Sequence, residues 1–350
     1  MDRYIGIDAH SESCSVAVMG PSGKRIHLHV VETHAKVLIN LMKGMAGNKF
    51  VCLEEGELAE WLVEALTPHV KEIAVVQPDK PRGRKSDADD AWARAEQIRV
   101  RAQVTHVFKP TTKYRPLREA VRAYNIAIKD QTRTKNRLRS LFRSRGVREL
   151  DKSIYDPTSR PDWIKKLPKD YRRRAEWLGQ QVDAMTSGRK LAQSWLEEEA
   201  IKCGEVTRLK TVPGLGVVRA AQIVALVVTP HRFRTTRKFW SYCGLGIVTR
   251  SSSDWKHDDK EWRRRNKVQT LGLNLNRQPV LKSIFKGAAK TLLTTPNPLH
   301  ESFDRVVARG TAPNLARLTL ARRIAAVTLT IWKKKEDYDP TKHRSIQEAA

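Results

Sequence analysis

Five short apolar runs in the first 76 residues constrain this chain more than any other feature. Residues 3–8, 14–19, 25–31, 49–53 and 72–76 are strand-length and carry Val, Ile and Leu. The third run, Arg25-Ile26-His27-Leu28-His29-Val30-Val31, alternates in character, as a strand with one wet face does. His10-Ser11-Glu12-Ser13 reads as the turn into the second run, and Pro21-Ser22-Gly23-Lys24 as a hairpin turn into the third. Residues 35–45, with Val37, Leu38, Leu41 and Met42, have helical spacing, and residues 57–66 read as a second helix.

Three strands, then helix, strand, helix, strand is the order of an RNase H-like α/β domain. No Gly-rich phosphate loop interrupts it. Two of the runs end on acids: Tyr4-Ile5-Gly6-Ile7 on Asp8, and Phe50-Val51-Cys52-Leu53 on Glu54. Two more acids, Asp87 and Asp90, stand three apart behind Ser86, a residue suited to capping a helix. Acids in a first helical turn also suit the macrodipole, which accounts for Asp87, Asp89 and Asp90 but not for two strand ends. Converging carboxylates repel one another, so such a cluster is expected to hold a divalent cation.

The rest of the chain has the opposite charge. Against 38 Asp+Glu stand 66 Lys+Arg, a net charge of +28 with pI ≈ 10.2. That balance points to a nucleic-acid partner, with an anionic membrane surface as the rival explanation. No apolar run reaches the ~20 residues of a spanning helix. The N-terminus lacks a signal-peptide layout, and Cys14, Cys52, Cys203 and Cys243 form no CxxC pair. Zinc and disulfides are therefore not expected, and a reducing cytoplasm is.

Residues 109–148 hold 13 Lys/Arg and only two acids, Glu119 and Asp130. Leu117, Val121, Tyr124, Ile128, Leu138, Leu141 and Phe142 recur there at helical spacing, with a slip near Thr132–Thr134. A second long helix over about 171–201 carries Trp177, Leu178, Val182, Met185, Leu191 and Trp195. The two predict an antiparallel hairpin.

In the last third, Leu209-Lys210-Thr211-Val212-Pro213-Gly214-Leu215-Gly216 precedes an apolar helix over 217–227. Gly214 and Gly216 would let backbone N–H groups approach a phosphate, although such turns also join helices without a ligand. An aromatic-rich helix ends at Gly244, and a loop is expected to carry Ser251, Ser252 and Ser253 beside Arg250. Lys256 to Lys267 is basic, with Arg263, Arg264 and Arg265, and such arginines can hold a phosphate. Residues 315–332 close the fold as an amphipathic helix before a polar tail.

Together these residues resemble the DEDD transposases of bacterial insertion sequences, in insertion-sequence family one-ten and its eleven-eleven group. The resemblance rests on Gly6-Ile7-Asp8, Leu53-Glu54, the span Lys85–Ala91, Val212–Gly216, Tyr242–Trp255 and Asn276-Arg277. It implies a RuvC-like catalytic domain over 1–108, a basic coiled-coil segment over 109–205, a helical transposase domain over 206–335 and a tail over 336–350. It implies that Asp8, Glu54, Asp87 and Asp90 hold Mg2+, with Glu55 the alternative to Glu54. It implies a serine nucleophile, Ser252 or its neighbour Ser251, that links covalently to DNA. It also implies a structured non-coding bridge RNA as guide, a dimer-to-tetramer assembly and a nucleoid-associated protein. On that view Arg133, Lys135, Arg137 and Arg139 track RNA phosphates. Acids and serine lie in different domains, so the active site would be composite. The alternative is a RuvC-like nuclease that cuts branched DNA by water attack and needs no serine.

Overall fold

Alternation of apolar residues builds the sheet of the first unit, Met1–Lys113. The computed structural model describes residues 1–78, 86–102, 106–109, 113–148, 151–251, 255–258, 261–264, 268–294 and 297–343. For 250, 251, 255–258, 263, 264, 268, 298 and 343 only the backbone is described. Strands β1 (Asp2–Ala9) and β3 (Arg25–Glu32) flank β2 (Ser13–Met19), each antiparallel to it. Helix α1 (Ala35–Gly44) leads to β4 (Asn48–Glu54), and α2 (Ala59–Leu66) leads to β5 (Glu72–Val76). β4 joins β1 in parallel and β5 joins β4 in parallel, giving the order β3-β2-β1-β4-β5. This mixed sheet, followed by a mostly helical remainder, is compatible with an RNase H-like fold.

One sheet face offers Ile5, Ile7, Val16, Val18, Val51 and Leu53 to Leu38 and Met42 of α1 and to Leu62 and Leu66 of α2. Fully burying each such side chain contributes about 1.5–3 kcal/mol. Helix α3 (Asp87–Arg99) covers the other face, where Ala91 and Ala95 meet Ala17 and Met19, and Ile98 meets Phe50, Cys52 and Val76. Gly6 makes this possible. A β-carbon there would lie 1.8 Å from the Ala91 carbonyl oxygen and 2.4 Å from the Ala95 nitrogen, so only glycine lets α3 lie this close to β1. Ser86 occupies the N-cap position of α3, but its side chain makes no capping hydrogen bond.

The second unit, Tyr114–Ala350, opens with the helical hairpin. Its arms are α4 (Arg115–Ser144) and α6 (Lys169–Ile201), with α5 (Arg160–Lys165) in the link. Leu138, Leu141 and Phe142 near the end of α4 pack on Ala175, Leu178 and Val182 near the start of α6. Leu117, Ala120 and Val121 share a core with Leu196 and Ala200, so the arms are antiparallel. The slip in the apolar spacing has a structural cause: buried Gln131 and Thr134 form a polar layer midway. Gln131 Nε2 donates to Thr186 Oγ1 at 2.9 Å, and Arg189 Nη1 donates to Gln131 Oε1 at 3.2 Å. The expected apolar stripe of α6 is only partly buried. Leu178 and Val182 are inside, whereas Trp177, Leu191 and Trp195 are exposed because they fall off the face that meets α4.

Then follow α7 (Gly204–Lys210), α8 (Val217–Val227), α9 (Thr236–Tyr242), α10 (Pro279–Leu292), α11 (Pro298–Ala308), α12 (Pro313–Lys334) and α13 (Pro340–His343). Ile223, Phe239, Phe285 and Ile324 are at most 1% exposed in their shared core. Between α9 and α10, where a serine loop in a helical domain is expected, the described residues form short strands, and Ser252 and Ser253 lie outside them. β6 (Ile247–Ser251) pairs antiparallel with β9 (Val268–Leu273), and β7 (Trp255–Asp258) pairs with β8 (Glu261–Arg264). The β-branched Ile247-Val248-Thr249 favours a strand.

Candidate active site

Asp8 follows Ile7, Glu54 follows Leu53, and Ile7 pairs with Leu53. The two acids therefore leave neighbouring parallel strands at one level. Both stand on the α3 face of the sheet, since side chains alternate and their neighbours Ile7 and Leu53 face the other core. Gly6 lets α3 bring its first turn to the same place, with Asp90 half-buried and Asp89 turned to solvent. Asp8 is 17% exposed and Asp87 62%.

His10 joins them. Its Nε2 lies 3.1 Å from Asp8 Oδ2 and 3.6 Å from Asp87 Oδ1, and the three ligand atoms all lie within 4.8 Å of one another. Burial pushes the Asp8 carboxyl up, His10 beside it pulls it down, and Asp87 and Asp90 push it up again. That pattern is of a carboxylate whose burial and acidic neighbours outweigh the pull of His10. Two carboxylates and an imidazole at this spacing fit a divalent cation.

Glu54 has a partner of its own. Its Oε2 accepts from Arg94 Nη2 at 2.7 Å, and the Arg94 side chain is only 3% exposed. Arg94 Nη1 also donates to Gln97 Oε1 at 2.8 Å. The alternative ligand, Glu55, pairs with Lys109 Nζ at 2.6 Å. Sequence reasoning missed His10 and Arg94. His10 stands two residues past a strand-end acid, and Arg94 is a charged residue on the inner stripe of α3 with Ala91, Ala95 and Ile98.

The basic residues of α4 fall on two faces. Arg133 and Arg137 are exposed, the former beside Asp130 at 3.1 Å. Lys135 and Arg139 are half-buried, with Lys135 Nζ over the Tyr155 ring at 5.2 Å and its ammonium pulled down by burial and by Arg189 and Lys152. Gly214 has φ +82°, and a β-carbon there would lie 2.9 Å from Ala288 O, so its backbone conformation and its packing on α10 both favour glycine. Its carbonyl accepts from Arg219 Nη1 at 2.7 Å. Gly216, at the N-cap of α8, faces open space.

The serine segment rises from a fixed base. Asn274 Nδ2 donates to Ser241 O at 3.0 Å and to Ser241 Oγ at 2.8 Å, and Asn274 N donates to Gly246 O at 3.0 Å. Arg322 Nε donates to Leu245 O at 2.8 Å. From there β6 runs to Ser251, with Arg250 paired to Gln269 and Ser251 to Val268 at its far end. Arg263 and Arg264 lie on β8, paired to Lys256 and Trp255. Ser252, Ser253 and Arg265 lie outside the described residues.

Acids gathered on an α/β sheet, in a chain otherwise strongly basic, define the class: an enzyme that works on a polyanion. Residues 5–145 match the DEDD transposase model of IS110, and residues 206–271 match the transposase IS116/IS110/IS902 family. The two matches together span more than half of the chain, and the chain belongs to the IS110 family of DEDD transposases. It is thus a transposase that recombines DNA. No curated protein matches it. Among the described residues no helix is long and apolar enough to cross a membrane.

Proposed function

We propose that this transposase is an RNA-guided DNA recombinase that works through a phosphoserine intermediate, with Mg2+ held by Asp8, Glu54, Asp87 and Asp90. The convergence of Asp8, Asp87 and Asp90 at one strand end, with Glu54 on the next strand at the same level, carries this reading. When bound, a divalent ion supplies charge neutralisation at the scissile phosphate and the leaving oxygen. The chain's own part is nucleophilic. The Oγ of Ser252, or of Ser251 if the register shifts by one, gives up its proton and bonds to phosphorus as a deoxyribose oxygen leaves and takes up a proton. A hydroxyl from the other strand then attacks the phosphoserine and restores the serine. The ester keeps the bond energy, so rejoining needs no nucleotide.

The exposed Arg133 and Arg137 support contact with the guide RNA's phosphates. Arg250, Arg263, Arg264, Arg265 and the Gly214–Gly216 turn are assigned to DNA phosphates. Trp177, Leu191 and Trp195, exposed on α6, support assembly into dimers and tetramers. We assign catalysis to 1–108, RNA contact to 109–205 and the serine chemistry to 206–335, with 336–350 a tail.

A second reading is a RuvC-like nuclease that attacks with water. It is favoured by one observation: Asp8, His10 and Asp87, the described residues of the cluster, all belong to the first unit. One assay separates the two. Protein, guide RNA and paired donor and target DNA are mixed with Mg2+ and denatured, and the adduct is mapped by peptide mass. The recombinase reading expects an adduct on Ser252 or Ser251 that Ser252→Ala, or Ser251→Ala, removes. Metal-dependent cutting with no adduct would overturn it in favour of the nuclease.

A further inference from the structure

The ligand that closes the triangle with Asp8 and Asp87 is a nitrogen. His10 Nε2 approaches Asp8 Oδ2 to 3.1 Å and Asp87 Oδ1 to 3.6 Å. Around a six-coordinate ion with bonds of ~2.1 Å, neighbouring donor atoms lie ~3 Å apart. The spacing is compatible with adjacent ligands on one ion, although without an ion the His10–Asp8 contact is a hydrogen bond.

The backbone holds His10 in that position. His10 N donates to Ser13 O at 3.0 Å, closing the turn between β1 and β2. Its carbonyl accepts from Thr33 Oγ1 at 2.7 Å, and Thr33 N donates to Glu12 O at 3.0 Å. Thr33 Oγ1 also meets Cys14 Sγ at 3.3 Å. The residue is thus tied to both neighbouring segments through main-chain atoms, and its ring is left to the acids. Glu54, by contrast, gives Oε2 to the buried Arg94.

We propose that His10 is a direct ligand of the catalytic cation, so that this chain's centre is a mixed nitrogen–oxygen site rather than a purely carboxylate one. The proposal rests on the reading of the acid cluster as the metal centre. A neutral imidazole with its proton on Nδ1 presents the Nε2 lone pair between Asp8 and Asp87. Imidazole suits the first-row transition ions, of which Mn2+ binds most weakly, better than it suits Mg2+, which keeps to oxygen and water. The centre should then bind Mn2+ more tightly than Mg2+, and part of that preference should reside in one side chain.

Pulsed electron paramagnetic resonance on the full-length protein with one equivalent of Mn2+ tests this directly. The wild type should show modulation from a coordinated 14N, and 15N-histidine labelling should change it. His10→Ala should abolish the modulation while Mn2+ still binds, roughly 10–100-fold more weakly. His10→Ala keeps the backbone bonds and loses only the exposed ring's contact with Asp8 and Asp87, so the melting temperature without metal should change little. Bound Mn2+ without nitrogen coupling, or coupling that survives His10→Ala, would overturn the proposal and leave the acid cluster standing. Mn2+ binding that is indifferent to Asp8→Asn would overturn the acid-cluster reading itself and the His10 proposal with it.

Discussion

Asp8 is a carboxyl placed where its charge is disfavoured, between burial and two further acids. Its folded pKa is raised, so it adds stability while protonated, below the ordinary carboxylate range, and loses that contribution as pH rises through the raised value. At pH 7 the ionised Asp8 therefore destabilises the metal-free fold. Asp8→Asn should lower strand transfer by roughly 100-fold or more. In EDTA at pH 7 its melting temperature should equal or exceed that of the wild type, and the difference should vanish below about pH 4. A drop of several degrees would make Asp8 a folding residue instead. The cysteines behave differently: all four are free and buried, and burial pushes the Cys52 thiol up to about 11. A thiol reagent at pH 7.5 should label none of them until the protein unfolds. The places of Asp8 and Glu54 at strand ends and of Asp87 and Asp90 in a first helical turn were legible in the sequence because these are local features. His10 and Arg94 were not, because their importance depends on which helix crosses which strand.

At the scale of elements, the seat of α3 on β1 depends on a missing side chain. Gly6→Ala would force α3 outward, costing about 1–3 kcal/mol and more activity than that loss alone explains. Thermal melts and strand-transfer assays on the one variant would show both, and an unchanged melt would deny the tight seat. At the base of the serine segment, Asn274→Ala removes the donor to Ser241 Oγ and the acceptor of Asn276 N, while Ser241 O keeps Gly244 N, at a cost of about 0.5–1.5 kcal/mol. Its signature should be loss of the protein–DNA adduct while RNA binding persists. The first five strands were legible from apolar runs with clear turns. The strands over 247–273 were not, because consecutive serines and arginines hide the alternation beneath polar composition. The break in the spacing of α4 was visible, but its cause was a partner, Thr186, 55 residues away.

Across the whole molecule, charge and division into units set the behaviour. The excess of Lys and Arg makes nucleic-acid binding salt-dependent. Arg133→Ala and Arg137→Ala should each flatten the slope of log affinity against log salt by about one. The same change at Lys135 or Arg139, half-buried in the hairpin, should affect the slope less and the melt more. Titrations at four salt concentrations decide this, and equal slopes for all four variants would deny the two-faced arrangement. The candidate cation ligands Asp8, His10 and Asp87 all belong to Met1–Lys113, so a metal bound there should stabilise that unit's melting transition, by about 2.7 kcal/mol at a hundred times its dissociation constant.

The hairpin of α4 and α6 has a further consequence. At 1.5 Å per residue its 30- and 33-residue arms make a rod about 45–50 Å long. The Gln131–Thr186 bond fixes the rod's length, because sliding one arm past the other would strand a buried amide in an apolar seam. Such a rod cannot telescope; it can only tilt. A tilt of ~5° at one end carries the other end ~4 Å, about the rise of one base pair. The hairpin's two ends are therefore held at a set span, and a small rotation of the rod at one end displaces the other by a distance comparable to the rise of one base pair.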